Sequence, residues 1–209
     1  MAADLHEFLS RDHERLDALL ATCLRASDIE TPGEPETEAY DQFRRGLLRH
    51  IAIEERVLFP LLRAQRGITP LEQQLHRDHA AIAALLVPPP TGTELRQIAS
   101  ILQSHNVLEE ERGGLYAVIE DLAGDDLAAL MARVHAIPAV RVVPNVDSPI
   151  VRSSIELLLR EAEEGRAASS VHGVHPPRQG RQNGADCSAA PAGAGSLAPT
   201  SIRWPRAAR

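Results

Sequence analysis

The sequence predicts an all-α fold: an up-down-up-down four-helix bundle, then a C-terminal helical extension and a disordered tail. Three observations predict it. Hydrophobic residues make up 44% of the 209 residues but aromatics only 3%, so the core must be built from Leu, Ala, Ile and Val, a composition better suited to helices than to a β-sandwich. Apolar residues recur every three to four positions in four successive segments. The connections between these segments are short and marked by Pro and Gly.

Asp4 is placed to cap a first helix running to about Ser27, with Leu5, Leu9, His13, Leu16, Leu20 and Cys23 or Leu24 on its inward stripe. Ser27 to Glu38 reads as a loop. A second helix is expected from about Glu36 to Gln65, with Phe43, Leu47, His50, Glu54, Leu58 and Leu61 inward; Pro60 should kink or end it, and Gly67 is its expected C-cap. Thr69 and Pro70 read as N-cap and first residue of a third helix reaching about Leu86, with Leu71, Leu75, His79, Ile82 and Leu86 inward. Thr91 or Thr93 caps the fourth, whose stripe is Leu95, Ile98, Leu102, His105 and Glu109; Gly113 and Gly114 loosen its second half and Gly124 ends it.

The domain reading is therefore a bundle over 1–124 and a helical extension over 125–165. In the extension, Asp125 to His135 forms a short helix, the next stretch is extended, and Pro149 opens a helix ending at Gly165. The tail over 166–209 is Arg, Ala, Gly and Pro without periodicity, which reads as disordered.

Charge and cysteine content exclude several classes of protein. Residues 1–165 hold 16 Arg against 28 acids, a net −12, which excludes a nucleic-acid-binding body; residues 166–209 hold six Arg and one Asp. No run approaches the ~20 apolar residues of a membrane span. Cys23 and Cys187 form neither a disulfide framework nor a zinc pattern. The expected location is the cytoplasm.

The stripes themselves carry the functional signal. LLRHIAIEERVLFP, Leu47 to Pro60, places His50 and Glu54 where apolar residues belong. Buried unpaired, each would cost several kcal/mol. The same interruption recurs on every helix. Asp12-His13 matches Asp78-His79, and His50 with Glu54-Glu55 matches His105 with Glu109-Glu110. Each HxxxE pair lies on one helix face. In an antiparallel bundle four imidazoles and two carboxylates then converge on one axis. Two buried carboxylates repel without a cation. Two divalent cations balance them, with carboxylates bridging and imidazoles capping each metal. Imidazole and carboxylate without thiolate suit Fe, Mn or Zn, and six ligands over two metals leave open positions for small molecules.

These residues resemble the hemerythrin-like family, the HHE cation-binding domains, over roughly the first 120 residues. HIAIEERVLFP is similar to the family's HxxxEE–LFP signature. The resemblance implies a non-haem, carboxylate-bridged centre of two iron ions, with His13, His50, His79 and His105 as terminal ligands and Glu54 and Glu109 as bridges. It also implies departures. Members that carry oxygen have a further His where this chain has Leu75, with His76 rotated off the stripe. The second motif continues as ERGGLYAVIE instead of stepping directly to Leu-Tyr-Pro, so Glu110 is an alternative to Glu109 as the bridge.

Three functions fit this reading: binding oxygen, nitric oxide or a related oxidant such as peroxide for sensing or stress response; enzyme-like iron-centre repair, iron delivery, or nitric oxide or peroxide reduction; and an iron- or redox-responsive interaction module. A metal- and gas-binding protein is expected ahead of a classical enzyme. Asp12 and Asp78 point about 100° away from their neighbouring histidines and are expected to form surface pairs.

Overall fold

The computed structural model of the chain describes residues 4–27 and 34–172, without the side chains of 34–36 and 169–172. The expected tail beyond 172, including His175 and Cys187, lies outside the described residues, as do residues 28–33 of the expected first loop. What is described is all-helical, with no strand.

Helix α1, Leu5–Ala26, starts where Asp4 accepts a hydrogen bond from the His6 N–H. All six residues from Leu5 to Cys23 on its predicted stripe are buried. Helix α2, Glu34–Ile53, runs into a π-helical turn, Glu54–Leu58, and continues as α3, Phe59–Arg66. Pro60 was expected to kink or end this helix; the helix does not end there but runs on to Arg66. A proline removes one N–H and crowds the carbonyl four residues back. The wide turn just before it, closed by the Phe59 N–H bonding to the Glu54 carbonyl, relieves that crowding. The added width also moves the buried position from Leu61 to Leu62. Gly67 then ends the helix at φ 71, a conformation that suits glycine.

Helix α4, Pro70–Leu85, is capped by Thr69, and α5, Gly92–Glu110, by Thr91, whose partner Glu94 completes a capping box. The fourth helix was expected to persist, loosened, to Gly124. It is instead two helices, α5 and then α6, Leu115–Ala123. Gly113 takes φ 91 between them. Gly114 packs so tightly under α5 that a Cβ there would lie 2.6 Å from the Leu108 carbonyl oxygen and 2.8 Å from that of Glu109.

Helix α7, Leu127–His135, is followed by an irregular stretch and α8, Pro149–His172. The irregular stretch is pinned to the bundle: Arg44 donates to the Val143 carbonyl at 2.8 Å, and Asn145 to that of Pro88 at 2.8 Å. Helix α8 was expected to stop at Gly165 and does not. Glycine costs a helix only about 1 kcal/mol, and packing along α4 holds this one.

Two apolar clusters flank a polar layer. One holds Leu16, Leu20, Phe43, Leu47, Ile82 and Leu102, joined by Ile155 and Ala162 of α8. The other holds Leu5, Leu9, Ile53, Leu58, Leu75 and Tyr116, joined by Val134 of α7. The extension thus shares the bundle's cores. Between the clusters, in chain order, lie His13, His50, Glu54, His79, His105 and Glu109, all buried. Among the described residues no helix is long and apolar enough to cross a membrane.

The tight seat of Gly114 gives a stability test. Gly114→Ala should lower unfolding stability by about 1–3 kcal/mol in a denaturant titration, because the added methyl meets backbone, which yields poorly. A variant as stable as the parent would show that the turn can shift freely.

Candidate metal centre

Each of the four inward histidines directs Nε2 into the layer between the clusters. His13 and His50 Nε2 lie 2.9 Å apart. Each carboxylate spans two pairs of imidazoles. One oxygen of Glu54 is 3.3 Å from His50 Nε2 and the other 3.0 Å from His79 Nε2. One oxygen of Glu109 is 3.3 Å from His13 Nε2 and the other 2.9 Å from His105 Nε2. The layer therefore divides in two. His13 and His50 face Glu54 Oε1 and Glu109 Oε2, while His79 and His105 face Glu54 Oε2 and Glu109 Oε1. Two groups of candidate ligand atoms, each mutually within 4.8 Å, meet at Glu109: Glu54, His79, His105 and Glu109 in one, and His13, His50 and Glu109 in the other.

A family model for the hemerythrin HHE cation binding domain matches residues 4–112. The chain belongs to this family. Neither a curated protein nor a solved structure matches it. Membership implies cation binding, usually of iron, and the residues of this HHE domain fit such a group. Glu54 Oε2, His79 Nε2 and Glu109 Oε1 are buried without a hydrogen-bond partner. Glu54 Oε2 and His79 Nε2 sit only 3.0 Å apart, close enough to pair yet not aligned to bond. Carboxylate oxygens buried this way cost several kcal/mol each unless a charge meets them.

The outer face of each ring is held by an acid. His50 Nδ1 is 3.0 Å from Asp12 Oδ2, and His79 Nδ1 is 2.8 Å from Glu55 Oε1. His13 Nδ1 pairs with Glu110. His105 Nδ1 lies 3.5 Å from Asp78 Oδ2, within ion-pair reach. An acid opposite Nδ1 fixes the proton there and leaves the Nε2 lone pair facing inward, as a metal ligand requires. The pattern is cyclic. The acid of α1 serves the histidine of α2, the π turn after α2 serves α4, α4 serves α5, and α5 serves α1.

Asp12 and Asp78 therefore depart from their expected place as surface pairs. Asp12 does bond Arg15 at 2.7 Å, but it also reaches His50. Asp78 is fully buried, held by Gln74 at 2.9 Å and by Arg166 of α8. The 100° step that turns each Asp away from its own neighbour turns it toward the next helix's histidine. The repeated Asp-His dipeptide was the signal. Glu110 stands outside the ring of Nε2 atoms, while Glu109 lies within it. His76 is half-exposed and shares Glu55 with His79.

Sequence reasoning did not single out Tyr116. Its ring is fully buried, and its hydroxyl lies 2.9 Å from Glu54 Oε1 and 3.1 Å from Glu109 Oε2. The Leu-Tyr of ERGGLYAVIE was the available clue.

In the metal-free chain, protons stand in for the cation. Burial pulls the His50 pKa down, but Glu54, Asp12 and Glu109 outweigh it and leave it at about 10. Burial likewise opposes charge on His105, and Glu109, Asp78 and Glu54 raise it to about 10. Burial pushes Glu54 up, and His50 and His79 bring it well below its ordinary value. Since the folded imidazole pKa values exceed the ordinary 6.5, their stabilisation is complete below about 6.5 and is lost as pH rises through about 10. The unfolding temperature of metal-free protein should therefore fall between pH 6.5 and 10. Metal affinity should rise over the same range, because the cation no longer competes with those protons. Thermal melts with and without metal test this. A flat metal-free profile would mean the imidazoles are not charge-paired.

Proposed function

We propose that this chain is a non-haem di-iron protein that binds oxygen, nitric oxide or a related small oxidant such as peroxide, for sensing or stress response in the cytoplasm. In this reading His13, His50, His79 and His105 are terminal ligands and Glu54 and Glu109 bridge, one oxygen to each iron. The bundle over 1–124 is up-down-up-down. Its support is the order of the two apolar clusters along the chain, which reverses from each of α1, α2, α4 and α5 to the next.

A cavity beside the imidazoles carries the small-ligand reading. It holds about 10 Å³ and is lined by His13, His50 and His105 with Leu47, Ile82 and Leu102. That is room for roughly one water-sized molecule. A space of this size excludes an organic substrate and leaves only the smallest ligands as candidates. Asp17 and Asn106 complete the lining beside the aliphatic side chains.

When bound, iron supplies redox chemistry and open coordination positions. The chain's own residues fix four imidazole orientations through Glu110, Asp12, Glu55 and Asp78, keep water out with two apolar clusters, and limit the size of what enters.

The deciding experiment is metal content and the ultraviolet-visible spectrum of the purified chain, followed by adding oxygen, nitric oxide or peroxide to the reduced form. Two irons per chain with oxo-bridge absorption are expected, both lost in His50→Ala and Glu109→Ala. A colourless protein that takes up no iron on reconstitution would overturn the reading.

A further inference from the structure

Tyr116 occupies a place that the two glutamates and four histidines do not account for. Its hydroxyl oxygen is 2.9 Å from Glu54 Oε1, 3.1 Å from Glu109 Oε2, and 3.2 Å from both His13 Nε2 and His50 Nε2. These four atoms are the candidate ligands of one half of the layer. Around that half, His13 and His50 Nε2 are 2.9 Å apart, and each lies 3.3 Å from its own carboxylate oxygen. The five atoms are thus spaced at about 3 Å. Donors at right angles around a cation with bonds of ~2.1 Å stand ~3.0 Å from one another. The phenol oxygen sits at the distance of a fifth ligand.

A hydrogen-bonding role accounts for less. The hydroxyl has one proton to give, and two carboxylate oxygens, Glu54 Oε1 at 2.9 Å and Glu109 Oε2 at 3.1 Å, are placed to take it. One of the two accepts it and the other is left facing the oxygen of a neutral phenol in a buried site, an arrangement that natural interiors avoid. A cation among them satisfies all five atoms together.

Resting on the di-iron reading, we infer that Tyr116 is a protein ligand of one iron only, the one held by His13 and His50. On coordination the phenol O–H bond is replaced by an O–metal bond and the proton leaves to solvent, with no change in oxidation state. The two metal positions are then chemically unequal. The His13 and His50 position has one more protein donor, while on the other side the position one turn before His79 is the apolar, buried Leu75. Tyr116 belongs to one apolar cluster, and the cavity's apolar walls belong to the other. The phenolate therefore closes the face opposite the small-ligand cavity.

The chain has two tyrosines, Tyr40 and Tyr116, so the test is clean. The full-length chain is loaded with ferric iron and examined by resonance Raman with excitation in the visible. Enhanced tyrosinate ring modes and a phenolate-to-iron absorption band are expected in the parent and in Tyr40→Phe. Both should vanish in Tyr116→Phe, with chelator-driven iron release about tenfold faster. Two irons and oxo-bridge absorption without tyrosinate modes in the parent would overturn this assignment and leave the di-iron reading intact. Persistence of the modes in Tyr116→Phe would also overturn it. A chain that takes up no iron would overturn both. The parent spectrum decides even where the variant does not fold.

Discussion

Two carboxylates, Glu54 and Glu109, are fully buried at the centre of an otherwise apolar bundle, and the rest of the structure answers to them. Each is negatively charged in a place where water cannot reach it. Four imidazoles converge on their oxygens, one from each of α1, α2, α4 and α5. Around those imidazoles stand four further acids, each holding a ring from outside. Charge alternates outward from the centre: carboxylate, imidazole with its cation or proton, carboxylate, and then arginine where Arg15 meets Asp12 and Arg166 meets Asp78. A buried polar network of this kind is tolerated only when every member is paired.

The backbone bends to serve the same centre. Both carboxylates occur where a regular helix is interrupted. Glu54 opens the π turn, and Glu109 lies in the last turn of α5, immediately before the Gly113-Gly114 break. The first irregularity lets a helix carry on past Pro60. The second turns α6 back so that Tyr116 enters the layer. The extension contributes through Arg166, which reaches the acid facing His105, so α8 is tied to the centre and not only to the apolar core.

Much of this was legible in the sequence, for a physical reason. Helical periodicity places buried residues on a stripe, and a polar residue on a stripe is conspicuous. The stripes through His13, His50, Glu54, His79, His105 and Glu109 could be read for that reason. Caps at Asp4, Thr69, Thr91 and Gly67 were legible because capping chemistry is local. What escaped depends on tertiary packing. Asp78 looks like a surface residue on its own helix wheel and is buried only because α5 and α8 cover it. Pro60 breaks an ordinary α-helix, and nothing local announces a π turn that absorbs it. Tyr116 lies beyond a glycine pair, and only the turn geometry shows that its ring points back toward Glu109.

The cyclic order of acids and imidazoles has a consequence for how the protein is made. The contact that closes the ring joins His13 to Glu110, 97 residues apart in the chain. Until α5 has emerged from the ribosome, His13 has no outer acid and the layer lacks both His105 and Glu109. A half-synthesised chain thus carries only a partial set of donors. Assembly of the complete donor layer is therefore tied to the completion of the bundle.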